Sequence, residues 1–151
     1  MRAEFQVLVI PFVLDENLDI EIAVFRRADD NSWQFIAGGG ESGETELEAA
    51  RREAYEEAGI SRESTFVRLN SLSYVPRQCF PAHKTRKDLY VIPEYCFAVV
   101  VENKMLELSP EHSEYRWMKY EEAMTCLRYD SNKTALWELQ ARLRDGNIQV
   151  Q

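Results

Sequence analysis

Positions 5–14 are almost wholly apolar, with Val, Leu, Ile and Phe broken only by Gln6 and Pro11, and this predicts a buried strand. The polar triplet Asp15-Glu16-Asn17 marks a turn, and 20–26 (IEIAVFR) alternates well enough to be its hairpin partner. Asp29-Asp30-Asn31 reads as a second turn, leading into the short stretch Trp33-Gln34-Phe35-Ile36. The glycines that follow, Gly38, Gly39, Gly40 and Gly43, are expected to break regular structure. A helix is then predicted over 45–58, ended by Gly59, with Leu47, Ala50, Ala54 and Ala58 as its apolar stripe. Those alanines permit close packing on a sheet.

In the second half, 66–75 reads as a strand and 76–88 as an irregular basic loop. Leu89 and Tyr90 lead into a strong strand over 91–101, despite Pro93 near its start, and 115–118 gives one more short strand. Helical periodicity returns at 121–127 and 131–143, where Leu136, Leu139 and Leu143 form a core face, and Gly146 with a polar tail ends the pattern. No repeat or linker interrupts it. Strands around a central helix, with helices after them, predict a single α/β domain over 1–151, layered α/β/α.

A chain of 151 residues, 45% hydrophobic and 29% charged, has the composition of an ordinary globular domain. Its net charge of −8 argues against gripping nucleic-acid backbone over a wide surface. A small phosphorylated substrate remains compatible, because a bound metal and a few local cations can invert the field of a pocket. Cys79, Cys96 and Cys126 have no CxxC spacing and suit a reducing compartment. The first residues read as neither signal peptide nor membrane anchor, so a cytoplasmic protein with no membrane partner is expected.

The chemistry concentrates in 38–60, where Glu53, Glu56 and Glu57 fall on one helical face. Three like charges so close repel, and a hard divalent cation, Mg²⁺ or Mn²⁺, is the natural compensation. By themselves they would be read as solvated surface. Their register argues otherwise: Gly38, five residues, Glu44, seven residues, then Arg52-Glu53-Ala54-Tyr55-Glu56-Glu57-Ala58-Gly59-Ile60.

This segment resembles the signature of the Nudix (MutT-type) hydrolases, G-x5-E-x7-R-E-U-x-E-E-x-G-U with U a bulky apolar residue. All seven fixed residues match, and Ala54 departs only in being small. The resemblance implies a Nudix-like α/β/α sandwich with a mixed sheet and a loop–helix–loop metal site. It implies hydrolysis of a nucleoside diphosphate linked to another moiety, with Mg²⁺ or Mn²⁺ held by Glu53, Glu56, Glu57 and the Gly38 carbonyl. Arg52 would brace a glutamate, and Glu44 would sit near the metals or stabilise the loop. A carboxylate not saturated by metal would take the proton from the attacking water; Glu56, Glu111 and Glu114 are the candidates. Family members are often dimers, which allows a homodimer here, though no stripe marks an interface.

The runs Ser32-Trp33-Gln34-Phe35, Glu111-His112-Ser113-Glu114-Tyr115-Arg116-Trp117 and Tyr129-Asp130-Ser131-Asn132-Lys133 look like the subgroup acting on dihydroneopterin triphosphate and dATP. Diadenosine polyphosphate hydrolases carry a similar Glu-His-x-x-Tyr-x-Trp stretch and remain the alternative, as does a non-catalytic nucleotide-sensing Nudix domain. Candidate substrate contacts are Arg26, the basic-loop residues Arg77, Lys84, Arg86 and Lys87, and Trp33 as a stacking ring. Core packing is the competing role for Trp33, Phe35, Tyr74, Phe80 and Tyr95, and loop hydrogen bonding for His112.

Overall fold

The computed structural model describes residues 1–17 and 19–148. Seven strands form one mixed sheet: β1 (Arg2–Leu14), β2 (Ile20–Arg27), β3 (Trp33–Gln34), β4 (Ile36–Glu41), β5 (Thr65–Pro76), β6 (Val91–Val100) and β7 (His112–Lys119). Among the described residues three α-helices flank it: α1 (Glu46–Ala58), α2 (Tyr120–Cys126) and α3 (Asp130–Asp145). The tail past residue 148 lies outside the described residues.

The apolar run at the N-terminus becomes the centre of the sheet. β1 pairs parallel with β6 along one edge, from Gln6↔Glu94 to Phe12↔Val100. Along the other edge it pairs first with β4, up to Val9↔Ile36, and then with β2, from Phe12↔Ile22. Pro11 sits where β1 changes partner on that edge, a place where a missing backbone N–H breaks no ladder.

A strand buried on both faces explains why β1 reads as a continuous apolar run rather than an alternating one. Val7 and Val9 pack with Ala49, Ala50, Ala54 and Ala58 of α1. Leu8, Ile10 and Phe12 point the other way, into a core with Leu136 and Leu139 of α3 and Ala123 of α2. The helices therefore cover opposite faces, and the architecture is the α/β/α sandwich predicted.

The main correction concerns the glycines. Gly38, Gly39 and Gly40 lie within β4, paired with β1 through Gly38↔Val7 and Gly39↔Gln6, rather than breaking regular structure. Close approach explains their use: a Cβ on Gly38 would occupy the place of the Glu53 carboxyl, and one on Gly40 would run into the Phe5 ring. The last strand also begins earlier than predicted, so Glu114 is a strand residue and only Glu111 stays in the loop before it. No helix among the described residues is long and apolar enough to cross a membrane.

Candidate active site

Helix α1 is fixed at both ends by local chemistry. Thr45 caps its N-terminus: the Thr45 hydroxyl accepts from Glu48 N at 3.1 Å, and the Glu48 carboxylate accepts from Thr45 N at 2.9 Å. At the other end Gly59 takes the left-handed conformation, φ 68°, and its N–H returns to the last carbonyls of the helix. Between these stops the alanine stripe lies flush on the sheet. The acidic face is thereby held at the rim of the sheet, against β4.

Arg52 organises that face. Its guanidinium donates to Glu44 at 2.7 and 3.0 Å, to Glu53 at 2.9 Å, to Glu56 at 3.2 Å and to the Gly39 carbonyl at 2.8 Å. Hydrogen bonds from Arg52 hold the Glu44 carboxyl below its ordinary range. They also tie the start of the loop to the helix.

Glu57 is in the opposite condition. Both its carboxyl oxygens are buried with no hydrogen-bond donor. What approaches them is carboxylate oxygen from Glu111 and Glu53, which is repulsive unless one of the set is protonated. Burial, then Glu111, then Glu53, push the Glu57 carboxyl far above its ordinary value. Burial also raises Glu53, with Arg52 pulling the other way. Unpartnered buried carboxylates in a cluster are a common mark of a functional site.

The donor set suits a hard divalent cation, with carboxylate oxygens from Glu53 and Glu57 and Glu111 alongside. Among the described residues no three His, Cys, Asp or Glu side chains are drawn together at metal-ligand spacing. Glu56 is half in solvent and turned to Arg52. Glu114 is not in this cluster either: it pairs with Arg26 at 3.0 Å across the β2–β7 ladder and with Arg116 at 3.2 Å.

The basic loop is less free than its sequence suggests. Arg77 donates to the Arg86 and Leu89 carbonyls and lies over the Tyr90 ring, while Arg86 is held by Asp88 at 2.6 Å and Glu4 at 2.7 Å. Lys84 and Lys87 are exposed. Trp33 packs against the α3-side core, with the Arg116 guanidinium 5.4 Å from its ring centroid.

Between the sheet and the start of α3 lies a cavity of about 370 Å³, bordered by Gln6, Gln34, Glu94 and Asn132, with Phe80 and Tyr129 also in its lining. Sequence reasoning missed Gln6 and Glu94. The available signal was a polar residue inside each of two otherwise apolar strands, where it must have a partner or a ligand. Burial pushes the Glu94 carboxyl up, and the Ser73 hydroxyl donates to it at 3.4 Å. Asn132 accepts from Phe35 N at 2.9 Å, locking the start of α3 onto β3 and β4.

A mixed-sheet α/β/α sandwich with a capped acidic helix packed against a glycine strand is the architecture of the Nudix class. The comparisons agree. The family profile described as NUDIX domain matches residues 5–139. The bis(5'-nucleosyl)-tetraphosphatase [asymmetrical] of Mus musculus is 32% identical over 127 residues, 82% of this chain and 80% of that protein. An RNA pyrophosphohydrolase of Shewanella baltica is 30% identical over 105 residues, and the match spans 63% of this chain and 60% of that protein. A crystal structure from Listeria monocytogenes described as a NUDIX hydrolase superposes with a TM-score of 0.89 at 40% identity, covering 99% of this chain and all of that one. The chain belongs to the Nudix hydrolase family, enzymes of phosphoanhydride bonds that generally use a divalent metal.

Proposed function

We propose that this protein is a Mg²⁺- or Mn²⁺-dependent pyrophosphohydrolase that cleaves a P–O–P bond in a nucleotide polyphosphate. The observation that carries the reading is Glu57, buried with both oxygens unpartnered beside Glu53 and Glu111. Glu53 and Glu57 would hold the cation with the Gly38 carbonyl nearby. Glu56 would join only by leaving Arg52, and a cation that keeps several waters needs no more than one or two carboxylates. When bound, the metal would neutralise phosphate charge and acidify the attacking water.

The remaining roles belong to the chain's own groups. Arg52 fixes Glu44 and Glu53 and does not reach substrate. Glu111, exposed yet next to Glu57, is the best-placed carboxylate to accept the proton of the attacking water; Glu56 and Glu114 are each already paired with arginine. The cavity would take the base or ring of the substrate, with Lys84 and Lys87 reaching phosphate from the adjoining loop. Arg77 and Arg86 shape that loop, and Arg26 acts through Glu114.

Two substrate classes have specific support. The murine relative favours a dinucleoside polyphosphate such as diadenosine tetraphosphate. The segments resembling the dihydroneopterin triphosphate and dATP subgroup supply Gln34, Tyr129, Ser131 and Asn132 to the cavity wall, which favours a nucleoside or pterin triphosphate. The test is turnover by purified protein with Mg²⁺ on diadenosine tetraphosphate, dATP, dihydroneopterin triphosphate and 5'-triphosphorylated RNA. Phosphate or pyrophosphate release that Glu57→Gln nearly abolishes is expected. A native protein inert on the whole panel defeats this reading, and tight nucleotide binding without turnover, seen by calorimetry in Mg²⁺, would favour a nucleotide-sensing domain.

A further inference from the structure

Two buried groups without hydrogen-bond partners face each other in this site. His112 Nδ1 and the Glu57 carboxyl are both in that state. Nδ1 lies 3.9 Å from Glu57 Oε1, with the two side chains 0% and 3% exposed. That separation is about 1 Å longer than a hydrogen bond. On the far side of the ring, His112 Nε2 lies 3.3 Å from the amide nitrogen of Gln34. Phe25 packs on the imidazole with ring centroids 5.3 Å apart, and His112 N donates to Ser109 O, so ring and backbone are both held.

The chemistry of these atoms selects one arrangement. An amide nitrogen only donates, so Gln34 makes Nε2 the acceptor and places the ring proton on Nδ1. The reverse amide orientation would put a carbonyl oxygen on Nε2 and leave Nδ1 bare. With Glu57 ionised, as a cation ligand must be, a bare Nδ1 and the Glu57 carboxylate would be two buried acceptors aimed at one another, which is strongly unfavourable.

We propose that Gln34 and His112 are positioning residues for Glu57: Gln34 fixes the imidazole tautomer, and His112 presents its Nδ1–H to the Glu57 carboxylate, orienting it towards the cation. This inference rests on the reading of Glu57 as a cation ligand. Groups that orient a metal-binding carboxylate typically change metal affinity by about 10- to 100-fold when lost.

The test uses Mn²⁺ binding, followed by electron paramagnetic resonance, and the nitrogen NMR of His112. In native protein loaded with Mg²⁺, Nδ1 should be protonated and Nε2 bare; the opposite tautomer overturns the proposal without any variant. Gln34→Glu keeps the side-chain size but only accepts, so it draws the proton to Nε2. It should weaken Mn²⁺ binding about 10-fold. His112→Phe should lose a similar factor. His112→Asn offers an amide N–H that does not depend on Gln34, so adding Gln34→Glu to it should have no further effect. If Gln34→Glu weakens Mn²⁺ binding equally in the native and His112→Asn backgrounds, Gln34 acts through the cavity and the proposal fails. Glu57→Gln separates the two levels of the argument. Native Mn²⁺ affinity in Glu57→Gln defeats the cation reading itself; loss there, with native affinity in Gln34→Glu, defeats only the positioning by Gln34 and His112.

Discussion

A carboxylate that is buried without a donor makes the folded protein hold a proton that the unfolded chain releases. Glu57 is that group, its carboxyl raised by burial and by Glu111. The sign follows directly. The folded value lies above the ordinary carboxyl value of 4.5, so the folded state binds more protons than the unfolded one between the two values. Its contribution is therefore fully present below about pH 4.5 and is lost as pH rises towards the folded value. Metal-free protein is expected to show a Tm that falls between about pH 5 and about pH 8. Glu57→Gln, neutral at every pH, should flatten that decline, and differential scanning calorimetry across the range checks it. Gly38 makes a second point at the same scale. Its missing Cβ leaves the space that the Glu53 carboxyl fills, so Gly38→Ala should weaken Mn²⁺ binding at least 10-fold by displacing a ligand, while the fold survives. A titration with Mn²⁺ beside a circular dichroism melt separates those effects.

Elements show where sequence was informative. The limits of α1 could be read because capping is local chemistry: Thr45, Glu48 and Gly59 act within a few residues of themselves. β4 could not, because its glycines are chosen by what lies across from them, the Glu53 carboxyl and the Phe5 ring. A propensity rule sees only that glycine is a poor strand former. The β5–β6 ladder slips between Arg68 and Leu72, and there Glu138 of α3 accepts from Asn70 N at 2.6 Å and Ser71 N at 2.7 Å. Arg142, one turn along, donates to the same carboxylate at 2.7 Å. Glu138→Ala would strand two backbone donors at a strand irregularity. It is expected to cost about 2–4 kcal/mol, read from urea denaturation, with activity per folded molecule retained.

For the whole molecule, the reaction was legible and the pocket was not. The spacing of Gly38, Glu44, Arg52, Glu53, Glu56, Glu57 and Gly59 is local, so the sequence alone displays it. The cavity draws on β1, β3, β4, β6 and the start of α3, and only the sheet order brings those segments together. The same distance hid the division of labour between Glu111 and Glu114, three residues apart but facing Glu57 and Arg26 respectively. Cation binding should register on the entire protein. Because burial and Glu111 raise the Glu57 carboxyl far above its ordinary value, Mn²⁺ binding near pH 7 is expected to release protons and raise Tm as its concentration passes Kd. Calorimetry in two buffers of different ionisation enthalpy measures the protons released; a buffer-independent heat would contradict the prediction.

β4 has one property that reaches beyond this chain. Ala37 borders the cavity, and the next residue, Gly38, backs the Glu53 carboxyl, because successive strand positions look out on opposite sides. A single strand is thus a party wall between two rooms. Mutations that remodel the room receiving the organic part of a substrate can accumulate on one side while the hydrolytic room on the other keeps its furniture. Such a partition lets a lineage change diet without relearning chemistry, and it makes the cavity wall, not the acidic helix, the place to redesign this protein for a new substrate.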